Sequence, residues 1–228
     1  ISGHNYGGPE LDRMKDLAQK ALRFDWRKKE AELNQLPQFI TEIDGQTIHF
    51  IHVKSREANA TPLMLVHGWP GSFVEFLDQI NPLTDPANHG GRAEDAFDVV
   101  IPSLPGFGFS GPTHEVGWNN IRTGKAFIEL MDRLGYDKFA VQGGDVGAIL
   151  GPEMGRLAPE KFIGLHINAA TMGFIPMGPV DEAEIEKFTP AEKKRLAMLQ
   201  EFMQVKFGFN LLQSNQPQLV GYALSDSP

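Results

Sequence analysis

The chain runs to 228 residues with 41% hydrophobic and 22% charged side chains, the balance of one soluble globular domain with room for a sizeable core. A net charge of −8 argues against nucleic acid, whose phosphates need clustered Lys and Arg, and the absence of cysteine excludes disulfides, thiolate zinc sites and thiol catalysis. No apolar run reaches the roughly 18 residues of a membrane span and no signal-peptide pattern opens the chain, so a cytoplasmic protein is expected, with an anchor upstream of Ile1 left open by the missing initiator Met.

Three regions are expected: an N-terminal helical segment over residues 1–37, an α/β core over 38–170 and the start of a helical lid over 171–228. Pro9 after Gly7-Gly8, followed by Glu10 and Asp12, opens a helical stretch toward Leu36, with Asp25 as the cap of a second helix. Gln38 to Lys54 alternates in polarity around Asp44-Gly45, a strong hairpin signal. The run Leu63-Met64-Leu65-Val66 predicts a strand buried on both faces, and Ser72 to Ile80 a helix with Ser72 and Glu75 in capping-box register. A strand over Phe97–Ile101 is ended by Pro102, and a helix over 119–134 is stopped by Gly135. Two further strands, one from Phe139 and one over Phe162–Ile167, complete a pattern of strands alternating with helices. That pattern calls for a mostly parallel sheet covered on both faces. After Asn168 the character changes: Gly173 to Pro179 is rich in Gly and Pro, Thr189-Pro190-Ala191-Glu192 opens a charged amphipathic helix with another capping box, and no strand pattern returns.

The stretch Gln142-Gly143-Gly144-Asp145-Val146-Gly147 joins an apolar strand to a helix through glycines, with a carboxylate at the apex. This is the form of the nucleophile elbow G-x-S-x-G with aspartate in place of serine. A serine oxygen that opened an alkyl carbon would leave an ether, which water does not readily cleave; a carboxylate leaves an ester, which activated water hydrolyses. Asp145 therefore points to displacement at an sp³ carbon, in an epoxide or a halide. His67-Gly68-Trp69-Pro70-Gly71-Ser72 follows a strand and can turn a backbone N–H toward the elbow, with the N–H of Val146 as its partner in an oxyanion hole. Pro102 to Ser110 is a third, rigid loop after the next strand. His67 is expected to hold its loop by hydrogen bonds rather than to act as a base. His166 is expected in the core, and His49 and His52 at the surface of the hairpin. No His/Asp/Glu cluster has metal-ligand spacing and no dinucleotide fingerprint is present, so neither metal nor cofactor is expected. The mixed charges from Glu182 to Arg195 read as a solvated helix face, and Phe202, Phe207 and Phe209 as lid core or substrate wall.

The motifs HGWPGS, PSLPGFGFSG and QGGDVG, in that order, with FDWRKKEAELNQLPQF near the start and YALSDSP at the end, resemble the epoxide hydrolases of the α/β-hydrolase superfamily, in particular the microsomal-type branch. The resemblance covers nearly the whole chain. It implies an α/β-hydrolase fold, a small hydrophobic epoxide as substrate in a detoxifying role, Asp145 as nucleophile and the backbone amides of Trp69 and Val146 as oxyanion hole. It also implies a late His, paired with Asp or Glu, that activates water, and two lid tyrosines that donate to the epoxide oxygen. Downstream of Asp145 the one histidine is His166, too close in sequence to be that base. The chain is therefore expected to be part of a longer enzyme, or one piece of a nicked one, with the C-terminal part of the fold supplied by a missing segment or second chain; a homodimer is also open. By the family's lid pattern, Phe209 stands eight residues before Pro217, where a proton-donating Tyr is found. Tyr222 matches a different place in the pattern. Val146 stands where many relatives have Trp, which keeps the amide and widens the pocket.

Two other readings use the same residues. Haloalkane dehalogenation shares the nucleophile but needs a donor beside it to grip the halide, which Val146 lacks. A catalytically silent binding protein, or a cyclase reusing the pocket, is suggested by Phe209 and the absent late His.

Overall fold

A computed structural model describes residues 10–168 and 180–226. Two compact units divide the chain, residues 1–175 and 176–228. The first is organised by its turns. Asp44 and Gly45 both adopt left-handed backbone, with φ of 52° and 73°, as a two-residue hairpin turn requires. They close β1 (Gln38–Ile43) onto β2 (Gln46–Val53) in the register Ile43↔Gln46. β2 then pairs antiparallel with β4 (Phe97–Pro102). From β4 onward the sheet is parallel, through β3 (Thr61–Val66), β5 (Phe139–Gly143) and β6 (Phe162–Ile167), giving the order β1-β2-β4-β3-β5-β6.

Period-two alternation divides the buried side chains of the central strands between two cores. Met64, Val66, Val100 and Val141 face α4 (Asn120–Arg133) and α5 (Val146–Leu157). Leu63, Leu65, Val99 and Ile101 face the opposite way, onto Phe73, Phe76 and Ile80. Because both sets are apolar, β3 reads as one continuous hydrophobic run. α4 begins and ends as its sequence predicts: Asn119 accepts the N–H of Arg122 at 3.0 Å, and Gly135 leaves the helix at φ 84°. Upstream, α1 (Leu11–Leu22) is followed by α2 (Trp26–Leu33), the second helix the sequence predicts, with Asp25 as its cap accepting the N–H of Lys28 at 3.0 Å.

Several expectations need correction. Ser72 does cap, but through Val74 N–H at 3.3 Å, and the first turn, Phe73–Phe76, is 3₁₀ before α3 (Leu77–Thr84) begins. Glu75 lies over Gly71, where a Cβ would overlap its carboxylate, and makes no reciprocal capping bond. His49 is 2% exposed rather than at the surface, because β2 lies between two strands and both of its faces are covered. Its Nε2–H donates to Gln38 Oε1 and its Nδ1 accepts from the Ser103 hydroxyl, both at 2.9 Å. The Gln38 amide orientation follows from its own N–H bond to Leu33 O at 2.8 Å. His52 is half-buried and bonds the Tyr136 hydroxyl, which in turn donates to Asp98, each at 2.8 Å. Burial, with Asp98 beside it, pushes the Tyr136 phenol well above its ordinary range. His166, expected in the core, is exposed: it lies on the edge strand β6, beside an open groove of about 590 Å³ lined by Leu63, Leu65, Leu83, Ala140 and Gly164. Thus both-face coverage holds for the central strands and fails at β6, where Ile163 and Leu165 are also exposed.

The second unit is helical among its described residues, over Glu182–Ile185, Pro190–Val205, Gly208–Asn215 and Pro217–Asp226. The capping box is present as the sequence predicts, with Thr189 N–H to Glu192 Oε2 at 2.7 Å and Glu192 N–H to Thr189 Oγ1 at 3.3 Å. The Gly/Pro-rich stretch from Gly173 to Pro179 lies outside the described residues. No described helix is long and apolar enough to cross a membrane.

Burial lowers the pKa of His49 and of His52, where Lys54 adds to the effect and Asp98 opposes it. A histidine whose folded pKa is depressed favours the folded state fully above its unfolded value of about 6.5, and that stability is lost as pH falls below it. The thermal midpoint should therefore drop between about pH 7.5 and about pH 5.5, a window in which few ordinary carboxylates titrate. A flat or rising midpoint over that window would contradict the histidine assignments.

Candidate active site

The turn from β5 into α5 sets the site. Asp145 sits at φ 51°, ψ −116°, a conformation that costs a non-glycine residue roughly 1–3 kcal/mol and persists only where its surroundings over-determine it. Gly147 N–H bonds Gly144 O at 2.8 Å, Ala148 N–H bonds Asp145 O at 3.0 Å, and Asn168 N–H from the end of β6 bonds Gly143 O at 2.9 Å. Two of the elbow glycines are required for close approach rather than for their dihedrals. A Cβ on Gly143 would overlap the backbone of Gly147, and one on Gly147 would overlap the carbonyl of Val66. The first turn of α5 is thereby seated directly against β5 and β3.

Asp145 occupies the cap position of α5, yet its carboxylate does not cap the helix. Instead Oδ1 accepts the backbone N–H of Trp69 at 2.8 Å, across 76 residues of sequence. The Trp69 loop can lie this close because Gly68 has no side chain; a Cβ there would overlap the Asp145 side chain. Val146 supplies the first N–H of α5, which makes no hydrogen bond among the described residues and lies at the positive end of the helix dipole. Asp145, Trp69 and Val146, named separately from the sequence, thus meet at one corner.

The loop carrying Trp69 is braced from behind. His67, 1% exposed, accepts the N–H of Leu104 at Nε2 (3.1 Å) and bonds Gly68 O through Nδ1 (3.0 Å). Phe107 stands edge-on to its ring at 5.7 Å. The Pro102–Ser110 loop that supplies Leu104 and Phe107 is itself fastened to β2. Ser103 N–H bonds His49 O at 2.8 Å, His49 N–H bonds Ser110 Oγ at 2.9 Å, and the Ser110 hydroxyl donates to Ser103 O at 2.8 Å. The part of His49, Ser103 and Ser110 in this brace was not read from the sequence. The available signal was two serines framing a Pro/Gly loop, with a histidine among the inward residues of β2.

Phe209 belongs to the second unit, in the helix Gly208–Asn215, half-exposed and packed edge-on against Phe207 at 5.4 Å. Phe207 is buried and also contacts Phe202 at 5.7 Å, so this aromatic trio includes a core residue of its unit. Tyr222 is 72% exposed on the last described helix.

Residues 61–226 match the family model described as alpha/beta hydrolase fold, and residues 2–76 match the one described as epoxide hydrolase N terminus. The chain is 48% identical to a putative epoxide hydrolase of Stigmatella aurantiaca over 222 residues, covering 97% of this chain and 49% of that protein. It is 40% identical to epoxide hydrolase 1 of Sus scrofa over 222 residues, covering 90% of this chain and 48% of that one. Among solved structures, Aspergillus niger epoxide hydrolase superposes with a TM-score of 0.75 at 34% identity, covering 100% of this chain and 58% of that one. The chain spans about half the length of the curated relatives it matches.

Gly147→Ala should destabilise the fold by about 1–3 kcal/mol, because the added methyl has only backbone to displace. Gly164→Ala, with nothing within 4 Å of the new Cβ, should stay within about 0.5 kcal/mol of the parent. Urea unfolding of the pair checks this; equal midpoints would show that the elbow tolerates a side chain.

Proposed function

The chain belongs to the α/β-hydrolase fold family, and from that premise we propose that it opens a small hydrophobic epoxide to a vicinal diol through an ester on Asp145. The observation that carries the reading is the Trp69 N–H held on Asp145 Oδ1 at 2.8 Å. With Oδ1 occupied by a donor, Oδ2 is the oxygen that attacks. It displaces the ring oxygen at carbon, and that oxygen leaves with the electron pair of the broken C–O bond and takes a proton. Oδ1 then becomes the ester carbonyl oxygen. When water adds to Cγ, the same oxygen becomes the oxyanion, with the amides of Trp69 and Val146 as its donors. Collapse releases the diol and restores the carboxylate, which now holds one oxygen from water.

Two parts of this cycle come from elsewhere than the elbow. Phe209 has no proton to give, so the ring oxygen takes its proton from another donor. The base that activates water is assigned to a segment or second chain that completes the fold. Support for such a completing piece comes from the exposed edge of β6 and from the groove beside it.

Phe209 favours one competing reading, a binding protein that retains the pocket without turnover. Isotope labelling separates the two. In ¹⁸O water, Asp145 should acquire label over repeated cycles, and Asp145→Asn should form no covalent adduct by intact mass. Label entering the diol directly in a single turnover would exclude the ester, and no turnover at all would favour the binder.

A further inference from the structure

The peptide unit between Gly68 and Trp69 is held at both ends. Its N–H end donates to Asp145 Oδ1 at 2.8 Å, and its carbonyl end accepts from His67 Nδ1 at 3.0 Å and from Gly71 N–H at 2.9 Å. Because a peptide is planar, fixing the direction of its carbonyl fixes the direction of its N–H. A hydrogen bond to the carbonyl also polarises the unit and strengthens the opposite N–H as a donor. The protonation of His67 is settled by its neighbours. Leu104 N–H can only donate, so Nε2 must be the bare nitrogen; Gly68 O can only accept, so Nδ1 carries the hydrogen.

We propose that His67 is the positioning residue of this site: in its neutral Nδ1–H form it aims the Trp69 amide at Asp145, and protonation at Nε2 releases that aim. A proton on Nε2 would face the Leu104 N–H at 3.1 Å, two donors in contact, and the ring would have to move. The charged group acting on the ring is Glu75, from the 3₁₀ turn; Asp145 lies beyond it, against Gly68. The Pro102–Ser110 loop has no ionisable side chain. Burial lowers the pKa of His67, while Gly68 O and Glu75 pull it partly back up. The neutral ring therefore prevails at neutral pH and is lost on the acid side. The kinetic arm of the test rests on the ester mechanism proposed above; the spectroscopic arm does not.

The test follows the Trp69 amide ¹H–¹⁵N resonance and the His67 ring ¹⁵N shifts from about pH 8 to about pH 5, the range in which histidine titrates. In parallel, styrene oxide is mixed with the protein and the Asp145 ester is trapped by acid quench and weighed. His67 should show the Nδ1–H tautomer at neutral pH, and the Trp69 amide and the trapping rate should both change at the midpoint of the His67 ring. His67→Gln keeps an acceptor for Leu104 and an N–H for Gly68 O but cannot protonate in this range. It should abolish that inflection, whereas His67→Leu, which offers neither group, should slow trapping about 10²-fold, the scale of a misplaced group, with half-saturation little changed. A Trp69 amide that ignores His67 protonation, or an inflection that persists in His67→Gln, would overturn the proposal. Should the variant not fold, coincidence or separation of the wild-type midpoints decides. If no ester forms at any pH while the Trp69 amide still follows His67, the positioning role stands and the ester mechanism falls.

Discussion

The Trp69 N–H on the Asp145 carboxylate is the contact on which the rest of the site depends. It joins two loops that leave the ends of neighbouring parallel strands, β3 and β5, and it holds only while both strands keep register. A carboxylate at a helix start would ordinarily turn inward and cap the first amides. Here the backbone of Asp145, at positive φ, takes the side chain away from that role and presents it to the opposite loop. The strained residue is stabilised by ordinary interactions around it: three backbone hydrogen bonds, and glycines placed where any Cβ would strike backbone.

Two buried histidines extend the same logic outward. His67 connects the Trp69 loop to Leu104, and His49 connects the Leu104 loop to β2 through Ser103 and Ser110. Each is neutral, and each uses one ring nitrogen as donor and the other as acceptor, so that a single side chain joins two groups of opposite kind. Loops of glycine and proline have few side chains with which to hold one another. The imidazoles supply the cross-links that such loops lack, and they do so at the cost of sensitivity to acid, since a protonated ring has lost its acceptor.

The chemistry of the corner follows from which oxygen is engaged. With Oδ1 committed to an amide, the two carboxylate oxygens are no longer equivalent; in the proposed cycle one is the nucleophile and the other already stands in the position of the future oxyanion. The Trp69 amide that steadies the resting carboxylate would thus serve the tetrahedral intermediate without rearrangement, with the Val146 amide as the second donor. The edge strand β6 and its groove stand apart from this economy, with Leu165 and His166 exposed where the other strands are covered.

Much of this was legible in the residues themselves, because it is encoded over short spans. Asp44-Gly45, Asp25, Gly135 and the Thr189–Glu192 box each act on backbone within a few positions, so local chemistry decides them. The elbow was equally legible, since a glycine-flanked acid between an apolar strand and a helix has few other uses. Burial and pairing across the sheet were not. His49 and His166 were placed on the wrong sides of the surface because exposure depends on strand order, and order is set by contacts between residues far apart in sequence. Ser72 formed a 3₁₀ turn because the packing of Phe73 and Phe76 against the sheet outweighed the capping pattern. The sequence alone determined which groups could do chemistry; only the tertiary structure decided which of them face one another, because a hydrogen bond across 76 residues is a property of the closed sheet and not of either loop.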